Sequence, residues 1–203
     1  MALTPLRIAL TGGIACGKSL FAKFLRELGV QTLDADDIVH ELIPADERRR
    51  LAAIVFSDPA ARKALEARIH PLVRERIDAW FTPQTPQTSQ TSQTSQTSQT
   101  SQTSQTSQTP ILKLAIIPLL FECKWDGDYD IILCISSPVE EQIRRMVETR
   151  GMTRVEAEAR LSAQLPQEEK LARSHYVVVN DSTPEHLREE AVRCVEWLRS
   201  RQH

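Results

Sequence analysis

Apolar residues fall along this chain in two kinds of block. Residues 6–11 (Leu-Arg-Ile-Ala-Leu-Thr) form a short run that enters Gly12-Gly13, which predicts a strand ending in a turn. From Lys18 onward Leu20, Phe21, Phe24, Leu25 and Leu28 mark one face of a helix, and Gly29 is placed to end it. Residues 30–33 predict a second strand, closed by Asp34-Ala35-Asp36. A second helical stretch carries Leu65, Ile69, Leu72, Val73, Ile77 and Trp80 on one face, with Pro71 expected to kink or split it. Residues 111–120 are nearly all apolar, as in a strand covered on both faces of a parallel sheet, and 129–135 and 176–179 read the same way. Thr153-Arg-Val-Glu156 has the form of a capping box, and Thr183-Pro184 opens a last helix with Leu187, Ala191, Cys194, Val195 and Leu198 facing inward. Strands alternating with helices throughout predict an α/β domain, a parallel sheet in three layers.

One segment breaks the pattern. Residues 84–110 are nine consecutive Gln-Thr-Ser or Gln-Thr-Pro triplets, without charge or apolar side chain. Such a composition cannot bury enough apolar area to offset the entropy of ordering it. We expect a disordered loop insertion without a catalytic role, set into a single domain that spans 1–203. The charge balance, 25 basic against 27 acidic residues, shows no footprint for nucleic acid, and no basic run suits a membrane surface. No apolar stretch approaches the ~20 residues of a membrane span. The first residues do not read as a signal peptide. Cys16, Cys123, Cys134 and Cys194 are far apart and form neither a zinc pattern nor a disulfide framework. A reduced, cytoplasmic protein is expected, either a monomer or a weak homo-oligomer.

The chemistry concentrates near the start. Gly12-Gly13-Ile14-Ala15-Cys16-Gly17-Lys18-Ser19 fits G-x-x-x-x-G-K-[ST] between a strand and a helix. Glycines let successive backbone N–H groups point at one phosphate, and the helix that follows adds the positive end of its dipole. Lys18 is placed to reach the β- and γ-phosphates of ATP and Ser19 to offer a hydroxyl to Mg²⁺. Cys16 is either a small filler of the loop or a thiol whose thiolate the N–H dipoles and Lys18 favour. Neither Asn-Lys-x-Asp nor Asp-x-x-Gly occurs, which separates the chain from GTPases. Asp34 and Asp36 end the second strand on the side of the phosphate loop, and one of the two is expected to reach an acceptor hydroxyl.

These strings, taken together, resemble the dephospho-CoA kinases. The likeness runs through Leu10-Thr-Gly-Gly-Ile-Ala-Cys-Gly-Lys-Ser19, Leu33-Asp-Ala-Asp36, Ile54-Val-Phe-Ser-Asp-Pro59, His70-Pro-Leu-Val73, Ile117-Pro-Leu-Leu-Phe-Glu122, Gln142-Ile-Arg-Arg145, Ala163-Gln164 and Val178-Val-Asn180. The phosphate loop is generic to many kinases; the Asp-Ala-Asp, His-Pro-Leu and Pro-Leu-Leu-Phe-Glu strings in this order are far more specific. The resemblance implies a P-loop kinase fold with a helical acceptor-binding part and a lid at about 144–170. It also implies ATP-dependent phosphorylation of the ribose 3′-hydroxyl of dephospho-CoA.

On that resemblance Asp36 is the general base, with Lys18 and Arg145 acting on the phosphates. Residues 12–20, through Leu20, cradle the nucleotide, and Asn180 lies near the adenine. Thr11, Asp34, Arg48, His70 and Glu122 belong to the acceptor side, Asp34 also as a candidate for ordering Mg²⁺; for His70 a packing or contact role is favoured over proton transfer. The next family arginine is offset by one residue, with Thr149 where it is expected and Arg150 adjacent. Residues 43–47 are shorter than the corresponding family stretch, which keeps two alternatives open: a kinase for another small hydroxyl substrate such as a nucleoside, and a non-catalytic ATP-binding module.

Overall fold

The structure is a computed structural model describing residues 6–44, 47, 58–82 and 111–202. Arg48, most of 43–57 and the triplet repeat at 84–110 lie outside the described residues. The described chain runs β1 (Ile8–Gly12), α1 (Lys18–Glu27), β2 (Gln31–Asp34), α2 (Ala35–Leu42), α3 (Pro59–Phe81), β3 (Lys113–Ile116), β4 (Ile131–Ser136), α4 (Val139–Arg150), α5 (Arg154–Ser162), α6 (Gln167–Ala172), β5 (Tyr176–Val179) and α7 (Pro184–Ser200). The five strands pair in the order β2-β3-β1-β4-β5, every pair parallel.

The period of two along each strand sorts the core into two layers. Ile8 and Leu10 of β1, Leu114 and Ile116 of β3, and Leu133 and Ile135 of β4 face one side, where Phe21, Leu25, Leu187, Val195 and Leu198 of α1 and α7 cover them. Ala9, Ala115 and Ile132 face the other side, against Ile38 of α2 and Val73, Ile77 and Phe81 of α3. This is the three-layer α/β arrangement expected from the sequence. A smaller cluster of Ile143, Met146 and Ala157 joins α4 to α5, with Ile14 and Ala15 packed against it.

Several expectations need correction. Pro71 does not divide α3, which continues from Pro59 to Phe81. Its ring removes a bond to the carbonyl four residues back, at Ala67; Pro71 and Ala67 are both exposed, so water can satisfy that carbonyl while Val73 and Ile77 hold the helix to the sheet. Leu72, expected to face inward, is 46% exposed because the buried stripe runs through Val73, Ile77 and Phe81. The strand expected over 111–120 is confined to Lys113–Ile116. Beyond it Pro118 opens a turn that still buries Leu120 and Phe121, and an apolar run cannot distinguish a buried turn from a buried strand. The capping box at Thr153 and the Thr183 cap of α7 are formed as expected.

Candidate active site

β1 is the central strand, flanked by β3 and β4, and the chain leaves its C-terminal end directly into the glycine loop, the position where open parallel sheets bind ligands. Gly12 has φ +143°, and a Cβ there would lie 2.3 Å from the carbonyl oxygen of Ile135 on β4, so only glycine lets the loop begin so close to its neighbour. Gly17 stands at the N-cap of α1 with φ +97° and no side chain to occupy the first-turn amides. Ala15 is also left-handed, at φ +57°, which turns consecutive N–H groups into a concave, anion-binding surface.

Lys18 folds back along this loop: its Nζ donates to the carbonyl oxygens of Gly12 (2.9 Å) and Gly13 (2.7 Å). Burial lowers the Lys18 pKa from its ordinary value, and Lys170 pushes the same way, while Cys16 and Asp36 favour the charged ammonium. An arriving polyphosphate restores the charge that burial disfavours. Below the loop, buried Asn180 donates from Nδ2 to the carbonyl oxygen of Cys16 (2.8 Å), and its own carbonyl accepts from Arg145 Nη2 (3.3 Å). Arg145 Nη1 also donates to the carbonyl of Ala15 (3.2 Å). Asn180 and Arg145 thus brace the phosphate loop from β5 and α4.

The Asp34-Ala35-Asp36 string spans the junction of β2 and α2. Asp34 is the last residue of β2 and caps α2, its Oδ1 accepting from the Asp36 N–H at 2.9 Å; Asp36 sits in the first helical turn. Both carboxylates line the same cleft, not one of them alone. Burial raises the Asp34 carboxyl above its ordinary value, and the neighbouring Asp36 and Asp37 add to the effect.

Together these residues line a cleft of about 710 Å³, whose walls include Gly17, Lys18, Ser19, Asp34, Asp36, Arg145, Thr149, Arg150 and Gln164. A second, more apolar pocket of about 270 Å³ adjoins it, lined by Val39, Leu65, Ile69, His70, Val73 and Trp125 among others. Asp36, Pro118 and Leu119 belong to both. His70 packs edge-on against Trp125 with ring centroids 5.4 Å apart, and its Nε2 lies 3.9 Å from Cys123 Sγ.

Other predicted residues are engaged elsewhere. Thr11 is fully buried and donates to the carbonyl oxygen of Pro118 (3.2 Å), a strut between β1 and the turn after β3. Glu122 lines neither pocket: it pairs with the buried Lys170 at 2.6 Å and accepts from the Leu165 N–H at 3.1 Å. Arg144 points outward into pairs with Glu141 and Glu148, whereas Arg145 and Arg150 reach the cleft. Cys16 is fully buried and burial raises its thiol pKa, so the favoured thiolate does not hold: desolvation outweighs the pull of Lys18 and Arg145. Three amides received no role from the sequence. Gln142 donates to the carbonyl of Ser137 (2.7 Å) and to Gln167 Oε1 (3.1 Å), and Gln164 Oε1 accepts the N–H of Ile14 (3.0 Å).

Comparison with known proteins agrees with this geometry. The family model described as dephospho-CoA kinase matches residues 6–48 and 92–186, more than half of the chain. The dephospho-CoA kinase of Thermus thermophilus is 34% identical over 94% of this chain and 90% of its own length. That of Geobacter sulfurreducens is 32% identical over 89% and 92%. Among solved structures, TT1252 from Thermus thermophilus superimposes with a TM-score of 0.69 at 33% identity, covering 95% of this chain and 96% of its own. A shikimate kinase from Acinetobacter baumannii, at 16% identity, shares the fold with a TM-score of 0.59. The phosphate loop, the carboxylate pair and the likeness over nearly the whole chain place this protein in the dephospho-CoA kinase family.

Proposed function

We propose that this chain transfers the terminal phosphoryl group of ATP to the ribose 3′-hydroxyl of dephospho-CoA, giving coenzyme A. The observation that carries the reading is the confluence of two pockets at Asp36: a cationic, amide-lined cleft for the nucleotide and an apolar pocket for the acceptor, sharing one carboxylate. Asp36 lies where the acceptor hydroxyl meets the phosphoryl group and takes the hydroxyl proton as general base. Lys18 reaches the β- and γ-phosphates, and the loop amides from Ile14 to Leu20 hold the polyphosphate in place. Arg145 and Arg150, which line the same cleft as the carboxylates, stabilise charge on the phosphoryl oxygens during transfer. His70 and Trp125 shape the acceptor pocket by packing, and Arg48 is assigned to the acceptor's phosphates.

The cleft also fits a magnesium ion. Its candidate donors, the Ser19 hydroxyl and the Asp34 and Asp36 carboxylates, are all hard oxygens, and phosphates and water would complete the shell. Among the described residues no cluster of three or more His, Cys, Asp or Glu side chains could hold a metal by itself, so the ion would arrive with the nucleotide. When bound, it neutralises charge on the phosphates. Residues at about 144–170 are assigned to the lid, with Met146 and Ala157 packed near Ile14 and Ala15 of the loop. Both substrates are small molecules, so the reading requires neither nucleic acid nor membrane, and it places the enzyme in the cytoplasm as a monomer or weak homo-oligomer. No helix among the described residues is long and apolar enough to cross a membrane.

Coupled ADP release tests the reading with dephospho-CoA, adenosine and no acceptor in parallel. Turnover with dephospho-CoA alone is expected. Turnover confined to adenosine would move the assignment to a nucleoside kinase, and ATP binding without turnover on any acceptor would leave a binding module.

A further inference from the structure

We infer that Gln164 contacts the terminal phosphate of ATP, with its side-chain amide spanning the phosphate loop and the nucleotide. The inference deepens the proposed reaction and rests on ATP as the bound nucleotide. Its starting point is the hydrogen bond from the Ile14 N–H to Gln164 Oε1 at 3.0 Å, between residues 150 positions apart. A backbone N–H can only donate, so the oxygen of the amide must face Ile14 and the NH₂ group must face away. That NH₂ group bonds to no other described residue, and Gln164 lines the nucleotide cleft.

The end of the loop that Gln164 touches is identified by Lys18. Its ammonium lies against the carbonyls of Gly12 and Gly13, directly before Ile14, and the lysine of such a loop serves the β- and γ-phosphates. Ile14 therefore marks the end of the cradle where the transferring phosphoryl group sits, and two neutral N–H donors are presented beside it.

The position is built rather than incidental. The Leu165 N–H, one residue on, is held by Glu122 Oε1 at 3.1 Å, and Glu122 is held by the buried Lys170 at 2.6 Å. Gln167 is held in turn by Gln142 Nε2 at 3.1 Å. The chain is thus fastened directly after Gln164, at Leu165 and at Gln167, and the Gln164 side chain lines the cleft from a supported backbone. This arrangement gives Glu122 a role remote from the acceptor: it positions the residue that meets the phosphate.

Substitution by glutamate separates this role from a structural one. Gln164→Glu keeps an oxygen for the Ile14 N–H but replaces the NH₂ group with an anionic oxygen facing the terminal phosphate. ATP and ADP affinities are measured by calorimetry on the whole chain without acceptor, so the outcome does not depend on which hydroxyl is phosphorylated. ATP affinity is expected to fall at least about tenfold more than ADP affinity, because only ATP brings a γ-phosphate to the new charge. Gln164→Leu, which removes both the acceptor and the donors, is expected to shift the ATP-to-ADP ratio in the same direction by a few fold, and it decides the question if the glutamate variant does not fold. Unchanged ratios in the folded variants overturn the inference, since a purely structural Gln164 would weaken both nucleotides alike.

Discussion

Replacing Asn180 with alanine separates two roles for this residue, a contact with adenine and a brace under the phosphate loop. The Asn180 amide donates to the Cys16 carbonyl at 2.8 Å, and a Cβ at Gly17 would lie 2.3 Å from that same nitrogen, so the amide fills the space directly beneath the loop. Asn180→Ala leaves the Cys16 carbonyl, on a fully buried residue, without its partner. An unsatisfied buried acceptor costs about 1–3 kcal/mol. For a domain of this size the melting temperature should fall by about 2–4 °C for each kcal/mol. Any part of the cost that nucleotide must overcome to re-form the loop weakens binding by about tenfold per 1.4 kcal/mol. Displacement of a fluorescent nucleotide, by ATP and separately by inorganic tripolyphosphate, reads out the distinction. A brace predicts a similar loss for both competitors, because the loop serves the phosphates. A loss confined to ATP, with the melting temperature unchanged, would refute the reasoning and return Asn180 to the base.

Four further outcomes follow from the site. Lys18→Ala should retain the fold and lose most turnover in the ADP-release assay, since the lost interaction grows as charge develops in the transition state. Asp36→Asn should lower kcat far more than ATP affinity, and abolished ATP binding with kcat spared would remove the carboxylate from its role as base. Deleting residues 84–109 should leave kcat and KM unchanged, because Lys113 Nζ donates to the Trp80 carbonyl at 2.6 Å and the two flanks of the segment already meet. Burial pushes the thiols of Cys134 and Cys194 up to about 11 and 12 from an ordinary value of 9.0, so above pH 9 the unfolded chain sheds protons that the native one keeps. Stability in urea should therefore fall between about pH 9 and 12, by about 1 kcal/mol per pH unit for each thiol, with a shallower slope in Cys194→Ala.

What could be read in advance was whatever is written in neighbouring residues. The phosphate loop is a contiguous string between a strand and a helix, and its roles depend on spacing that the chain itself carries. The three-layer arrangement was equally legible, since the continuous apolar runs of the strands and the 3.6-residue stripe of α7 are both local patterns. Pro71 misled because its effect depends on whether the freed carbonyl at Ala67 meets water, a property of the folded surface. For Asp34 and Asp36 the expectation of a single carboxylate at the acceptor was too narrow: residues two apart share a face of a strand, and where β2 passes into α2 both line the cleft. The connections made by Gln142, Gln164, Gln167 and Asn180 lay beyond reach, because uncharged amides leave no mark in charge or periodicity and their partners lie far away in the chain.

The kind of residue used for those hidden connections has its own physical reason. A phosphate loop must keep its carbonyls and N–H groups satisfied before the anion arrives, yet any net charge placed beneath it would act on that anion. Amides can do the first without the second, since one side chain offers both a donor and an acceptor and carries no charge. The Cys16 carbonyl takes its bond from Asn180, and the Ile14 N–H gives its bond to Gln164. Lys170, the one buried charged side chain among the described residues, is matched by Glu122. The field that the nucleotide feels in the cleft is then left to the charged residues that line it, Lys18, Arg145 and Arg150 attracting the phosphates and the two aspartates accepting the proton of the acceptor hydroxyl.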